Sequence, residues 1–199
     1  MSNRFLIYII LFLFSVHLNS QTIYPKNFQI LDSLINIETK RIALEIKNKN
    51  IEKIEITFSE HPASWLVKQH FYKALSDSKI QIETDKATET VKFNLNIKQV
   101  EIQYLPDANE RDSLFRCAVV SLDGNISNNN NIEIIENNLL TYKDKISRDD
   151  IEQIKSDYTF ANAPVPEKQK TFFEEIAVPF VVVTTAILTV VILFTVRSG

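Results

Sequence analysis

The sequence is poor in glycine and cysteine, and each shortage excludes a class of site. Two glycines in 199 residues are too few for a glycine-rich phosphate loop or for a sandwich built from many tight turns. A single cysteine rules out an intramolecular disulfide, so the fold must depend on a packed core. Because Cys117 stands within an apolar stretch, we predict that it is a small core residue rather than a nucleophile.

A surplus of positive charge is also missing. Lysine and arginine number 22 against 25 aspartates and glutamates, which gives a net charge of -3. A surface that follows nucleic-acid phosphates needs a basic excess, so we expect no nucleic-acid partner. Histidine and cysteine spacings typical of zinc sites do not occur in the sequence, so we expect no metal site.

One short segment combines the residue types of a hydrolase. Ser59, Glu60 and His61 place a nucleophile, an acid and a base side by side. Neighbours in sequence rarely form a triad, because its geometry comes from folding. The other histidine of the central region, His70, lies on the apolar stripe of a predicted helix. We therefore predict no catalytic residue, no cofactor and no enzyme activity.

What the sequence does contain is a long uncharged run near its C-terminus. Residues 176–196 carry no charged side chain and precede Arg197. As a helix they would rise about 31 Å, which matches a hydrocarbon core of about 30 Å. We predict a transmembrane helix over 176–196 and a cytoplasmic tail over 197–199. The anchor residues are Ile176, Pro179, Val196 and Arg197. Within the span, Thr185 and Thr189 are four residues apart and would favour helix association in the membrane.

The first twenty residues have the parts of a secretory signal peptide. Arg4 precedes an apolar run over 5–16, and a polar stretch follows it to Ser20. Such a run is short for a bilayer span but suits a signal peptide, whether cleaved or retained as an anchor. We predict a signal peptide over 1–20 and an exported domain over 21–160, periplasmic or extracellular. A cytoplasmic domain on a tail anchor would leave the N-terminal run unexplained.

Hydrophobic spacing predicts the elements of the exported domain. Apolar residues recur every three or four positions over 27–48 and again over 64–75, as in amphipathic helices. Alternating or continuous apolar residues predict strands over 53–59, 80–83, 91–104, 114–122 and 132–142, with a short helix as the alternative for 132–142. The alternation changes phase at Lys98 and Gln99, which predicts a β-bulge in a long, bent strand.

Turn formers and caps complete this prediction. Asp123-Gly124 and the asparagines at 128–131 predict turns on either side of Asn125-Ile-Ser127, the asparagine cluster being a hairpin loop. Ser147 and Asp150 have the spacing of a capping box before a short helix. Pro164 and Pro166 mark a linker over 161–175. The order of elements predicts an α+β fold, with a mostly antiparallel sheet and helices packed on one face.

Two functions from different classes fit these observations. The first is a single-pass membrane-anchored accessory or scaffold protein of a bacterial-type cell envelope, which acts through protein–protein contacts of its exported domain. Its partners would be the lipid bilayer and envelope proteins, with Trp65 and His61 as candidate contacts at the start of the second helix. Trp65 at this position suits a lid on the core equally well. The alternative is a membrane-tethered module that binds a small ligand or lipid in an apolar pocket between helices and sheet. The element order resembles that of small periplasmic accessory domains in envelope-assembly and secretion lipoproteins, without a shared motif.

Overall fold

A computed structural model of the protein describes residues 24–83, 91–128 and 131–168, together with 180–183, 185 and 189. The predicted signal peptide lies outside these residues, as do Ile176, Pro179, Val196 and Arg197 of the predicted anchor. The described residues of the predicted span, 180–183, 185 and 189, are helical. None of the helices in the described part of the chain has the length and apolar character needed to cross a bilayer.

The described residues between 24 and 168 form an α+β domain. In chain order its elements are α1 (Asn27–Asn48), β1 (Lys53–Phe58), α2 (Ser64–Asp77), β2 (Gln81–Ile82), β3 (Val91–Pro106), β4 (Ser113–Asn128), β5 (Asn131–Ser147) and the short helix α3 (Ile151–Ile154). Single turns of 3-10 helix, Arg148–Asp150 and Thr159–Ala161, stand before and after α3. The Ser147 hydroxyl caps the first turn by accepting from the Asp149 amide, as its position in the sequence predicts.

The sheet is mixed, with strand order β2-β1-β3-β4-β5. β1 pairs in parallel with β2 and β3, while β3, β4 and β5 pair antiparallel. The prediction of a mostly antiparallel sheet was therefore wrong at this edge. The reason is the crossover: α2 carries the chain from the end of β1 back to the start of β2, so the two strands run in the same direction.

The core lies between the two long helices and one face of the sheet. Helix residues such as Leu31, Ile35 and Phe71 are fully buried against strand residues such as Phe93 and Val120. The opposite sheet face, which we call the open face, carries polar ladders. The Asn94 amide donates to the side-chain oxygen of Asn125 (2.8 Å), and the Asn96 amide donates to the Asp123 carboxylate (3.0 Å).

Two irregularities bend the long strands. The β3–β4 register shifts between Ile97 and Gln99, so the predicted bulge at Lys98 is confirmed. A second shift lies opposite Leu122 and Gly124. Here the predicted turn at Asp123-Gly124 was wrong, because β4 continues through Gly124 to Asn128. β4 and β5 then pair as a hairpin in which Asn128 lies opposite Asn131, as the asparagine cluster indicated.

The domain has two distinct ends, set by the direction of α1. At its start, Asn27 contacts Tyr104 and Arg116, near where β3 ends and β4 begins. At its far end, Lys49 pairs with Glu133 beside the β4–β5 hairpin. We call these the exit end and the hairpin end. A helix of 22 residues separates them by about 33 Å.

The chain leaves the domain at the exit end. The Arg148 guanidinium donates to the backbone carbonyls of Pro166 (2.6 Å) and Arg111 (3.0 Å). Lys168 forms an ion pair with Asp112, directly before β4. The described start of the predicted linker is thus held against the domain, and Ala161 at its beginning is fully buried.

Candidate functional site at the two ends of the domain

An exposed group of aromatic side chains lies at the exit end. Trp65, in the first turn of α2, stacks on Phe28 with ring centres 6.2 Å apart and planes at 12°. Tyr158 contacts both rings, at 5.1 Å from Trp65 and 5.0 Å from Phe28. Trp65 and Tyr158 each remain 42% exposed. We call Phe28, Trp65 and Tyr158 the aromatic surface.

Contacts of the helices and of the Tyr158 loop hold the members of this surface in place. Phe28 and Trp65 occupy the first turns of α1 and α2, which run side by side in the same direction. One turn further on, Asp32 and His70 join the helices across 2.7 Å. The Tyr158 loop is held by Asn162, whose side chain donates to the Tyr158 carbonyl (3.0 Å) and accepts from the Ser156 amide (3.0 Å). The surface is therefore preformed.

The other predicted contact, His61, makes a bond within its own turn. Its Nδ1 atom accepts from the amide of Ala63 at 3.0 Å, just before α2. Partial burial lowers the pKa of the His61 imidazole. The Ser59 hydroxyl accepts from the Ile97 amide at 2.8 Å. The side chains of Ser59 and His61 thus bond to separate backbone amides, and a contact between His61 and a partner stays a prediction.

Cys117 lies on the open face of the sheet, where it is half-buried. Its register neighbours are Gln103 on β3 and Lys143 on β5. The prediction of a core cysteine was wrong, because the two-residue period of β4 gives the core side to Arg116 and Ala118.

Arg116 organises a buried polar network that sequence reasoning missed. It is fully buried, and its guanidinium donates to both Asp144 oxygens (3.0 and 2.5 Å), to the Pro25 carbonyl (2.8 Å) and to the Asn27 side-chain oxygen (3.0 Å). The Asn27 amide donates in turn to the Tyr104 hydroxyl (2.9 Å). The signal for this network is an arginine in an otherwise apolar strand. The network ties the start of α1, including Phe28, to the sheet.

Tyr142 borders the same network. Its hydroxyl donates to an Asp144 oxygen at 3.3 Å. Burial raises the pKa of Tyr142, and the neighbouring carboxylate adds to this effect. The phenol therefore stays protonated and serves as a donor rather than as an acid.

A second exposed apolar surface lies on β5, the last strand of the sheet. Ile132, Ile134 and Leu139 are 68%, 74% and 58% exposed, and we call them the edge surface. All three point to the open face, because they pair with Ser127, Asn125 and Ser121. Within the described residues no further strand pairs with the outer side of β5.

α1 and the residue that follows it reach β5 through side chains at three places. Lys49 pairs with Glu133 in the hairpin stretch, and Glu38 accepts from the Asn138 amide at 3.4 Å. The Arg41 guanidinium donates to the Glu136 carbonyl at 3.1 Å, where β5 departs from regular register. Arg41 also pairs with the fully buried Glu38 at 2.6 Å, which raises the pKa of the guanidinium and fixes its position. The edge is thus divided into a hairpin part, 131–135, and a longer part beyond Glu136.

The described residues also form a shallow groove of about 370 Å³ beside β3. Its walls are the strand stretch 101–105 and the exit residues Ala163 and Pro164. No set of three or more His, Cys, Asp and Glu side chains in the described part of the chain is placed to hold a metal ion. The Thr185 and Thr189 hydroxyls donate to carbonyls one turn earlier in their own helix, each at 2.8 Å.

Comparison with known proteins adds little to this description. No family model matches the chain, and no curated protein is recognisably similar to it. Among solved structures, a minor lipoprotein from Acinetobacter baumannii is similar over 49% of this chain and 67% of that chain, with 13% sequence identity and a TM-score of 0.32. A similarity this low supports no conclusion about fold or function. The class that the geometry itself defines is a small α+β domain with an exposed apolar surface at each end.

Proposed function

We propose that this protein is a single-pass, membrane-anchored accessory or scaffold protein of the cell envelope, and that it binds another envelope protein through the edge surface. The observation that carries the proposal is the exposure of β5 at the edge of the sheet. This strand is long, it lies at the edge of the sheet, and it presents three large apolar side chains to solvent. Soluble proteins usually cover or charge such an edge, because it pairs readily with another strand. The lysines of β5 lie beyond Glu136, and the hairpin part, 131–135, contains a single charged residue, Glu133.

The hairpin part of β5 suits an added strand. Ile132 and Ile134 are two residues apart and lie on the same face, so a partner strand would bury them together. Burying one large aliphatic side chain contributes about 1.5–3 kcal/mol. Backbone hydrogen bonds along 131–135 would supply further affinity and orientation. The partner would therefore present a short extended segment with apolar side chains at two-residue spacing.

The predicted export signal and membrane span place this partner in the envelope. The chain leaves the domain toward the predicted membrane span at the exit end, which lies about 33 Å from the hairpin end. This arrangement would leave the edge surface away from the bilayer, where another envelope protein can reach it.

Binding of a small ligand or lipid has weaker support. That alternative needs an apolar pocket between the helices and the sheet. In the described structure this layer contains side chains such as Leu31, Phe71 and Leu95, which are fully buried against one another. The shallow groove lies elsewhere, beside β3. Packing of the described core therefore favours the protein-binding function.

Site-specific photocrosslinking tests the proposal in cells. A benzophenone amino acid replaces Ile134 in the full-length protein, and the matched control replaces Tyr72, which is 42% exposed on α2. We expect one discrete adduct from position 134, none from position 72, and loss of the adduct when Ile132→Lys is added. Mass spectrometry should identify a single envelope protein. Equal adducts at both positions, no adduct at all, or an adduct of two copies of this chain would contradict the proposal.

A further inference from the structure

We infer that the aromatic surface is a lipid-contact site, at which Phe28, Trp65 and Tyr158 rest in the headgroup region of the bilayer beside the anchor. The inference rests on the proposed membrane anchorage and goes beyond it. It assigns a second surface of the domain to a second kind of partner. The partner is a lipid surface, recognised through apolar and amphipathic ring contacts.

The position of the surface is the first argument. Phe28 follows Asn27, which Arg116 and Tyr104 hold at the exit end. Arg148 holds Pro166 at the same end, and Lys168 is paired with Asp112 there. The aromatic surface and the departing chain therefore lie at one end of the domain.

The length of the remaining chain is the second argument. Residues 169–175 separate Lys168 from the predicted start of the span at Ile176. The eight Cα–Cα steps from Lys168 to Ile176 reach at most about 29 Å even when fully extended. The exit end must stay within this distance of the hydrocarbon core, whereas the hairpin end lies about 33 Å further along α1. A surface at the exit end is thus kept at high local concentration next to the bilayer.

The chemistry of the side chains is the third argument. Tryptophan and tyrosine are enriched at membrane–water interfaces, because their rings are apolar while an N–H or O–H remains available to water. Trp65 and Tyr158 are each 42% exposed and stack in a preformed arrangement, so little side-chain freedom is lost on contact. Because the net charge is -3, we expect the contact to be independent of anionic lipid.

The tryptophan provides the test, because it is the only one in the chain. The full-length protein is reconstituted into phosphatidylcholine vesicles, either plain or brominated near the carboxyl end of the acyl chains. We expect the Trp65 emission to be roughly halved by the shallow bromines, as for an interfacial ring, and to change much less when the bromines lie near the methyl ends. Since both leaflets carry bromine, the orientation of the protein in the vesicle does not matter.

A matched pair of variants separates lipid contact from a general change in the domain. Tyr158 and Tyr72 have the same exposure, 42%, but only Tyr158 belongs to the aromatic surface. Tyr158→Ser should weaken the quenching of Trp65, while Tyr72→Ser should leave it unchanged. Equal effects of the two substitutions would overturn the inference. So would quenching that requires anionic lipid and disappears in high salt.

Failure of the anchorage and failure of this inference give different results. If alkaline carbonate removes the protein from the vesicles, the proposed anchorage is wrong and the inference falls with it. If the protein stays in the vesicles but shallow bromines do not quench Trp65, the anchorage stands and the inference alone is overturned. The latter result is also the one expected if a second copy or another protein covers the aromatic surface.

Discussion

At the scale of single residues, Arg116 has the strongest structural role. A buried charge is tolerated only when it is paired and hydrogen-bonded, and this guanidinium has four oxygen partners on Asp144, Pro25 and Asn27. Together they join the chain before α1 to β4 and β5. The network therefore supports the exit end.

Arg116→Met should lower the free energy of unfolding by about 3 kcal/mol, because it leaves Asp144 without its cation in a largely buried site. The control is Lys92→Met, since Lys92 is exposed and lies 3.9 Å from Glu55. Urea unfolding in mild detergent, followed by Trp65 fluorescence, measures both variants. A loss below about 0.5 kcal/mol, the range of ordinary surface changes, would show that the network is not needed for stability.

Lys145 makes the stability of the fold depend on pH through two carboxylates in the loop before β4. Its ammonium contacts Asp107 at 2.7 Å and Glu110 at 2.9 Å. The hydrogen bond from Lys145 is the largest cause that lowers the pKa of both carboxyls. A lowered carboxyl pKa stabilises the fold at pH above the ordinary value of about 4, and this contribution is lost as the pH falls through the lowered pKa.

Lys145→Met should therefore flatten the decrease of melting temperature with acid below about pH 4. Lys143→Met serves as the control, because Lys143 lies over the Phe115 ring and forms no ion pair with a carboxylate of the described residues. Melting temperatures between neutral pH and about pH 3 measure the effect. Identical acid profiles for wild type and Lys145→Met would show that this ion pair does not contribute.

At the scale of elements, β4 depends on a close approach at Gly124. A side chain there would meet the Phe93 ring and lie 3.0 Å from the Asn94 carbonyl oxygen. Gly124→Ala should cost about 1–3 kcal/mol through overpacking, and Phe93→Leu in the same chain should recover part of the loss. Ser127→Ala, on the open face of β4, is the control. Additive losses in the double variant, measured by urea unfolding, would contradict this explanation.

Several elements were predictable because their periodicity is local. The bounds of α1 follow from apolar residues at three- and four-residue spacing, and the bulge at Lys98 follows from a change of phase. The turn prediction at Asp123-Gly124 failed because glycine also serves close packing within a strand. The parallel pairing of β1 was missed because it depends on where α2 returns the chain, which no local pattern records.

The candidate site was predictable only in part. Trp65 was a predicted contact because of its position beside a loop. Phe28 and Tyr158 are distant from it in sequence and meet it only through folding. The apolar residues of 132–142 favoured a strand over a short helix, and the strand is confirmed. This pattern could not show that the apolar face of Ile132 and Ile134 stays exposed, because that depends on which side of the sheet α1 and α2 cover.

At the scale of the whole molecule, the edge surface should matter for binding and not for folding. Ile132 and Ile134 are largely exposed, so Ile132→Lys with Ile134→Lys should change the unfolding free energy by no more than about 0.5 kcal/mol per site. The same double variant should lose the photocrosslinked adduct, with the benzophenone now placed at Leu139. Retention of the adduct at wild-type level would remove Ile132 and Ile134 from the proposed interface.

The most direct test of the account concerns the side of the membrane on which the domain lies. In a Cys117→Ser background, Lys47→Cys places one thiol at an exposed position near the end of α1. A membrane-impermeant maleimide is added to intact spheroplasts, with a cytoplasmic protein as the control for leakage. The account predicts labelling of position 47 in intact spheroplasts while the control stays unlabelled. Labelling only after the membrane is broken would contradict export of the domain, and with it both proposed partners.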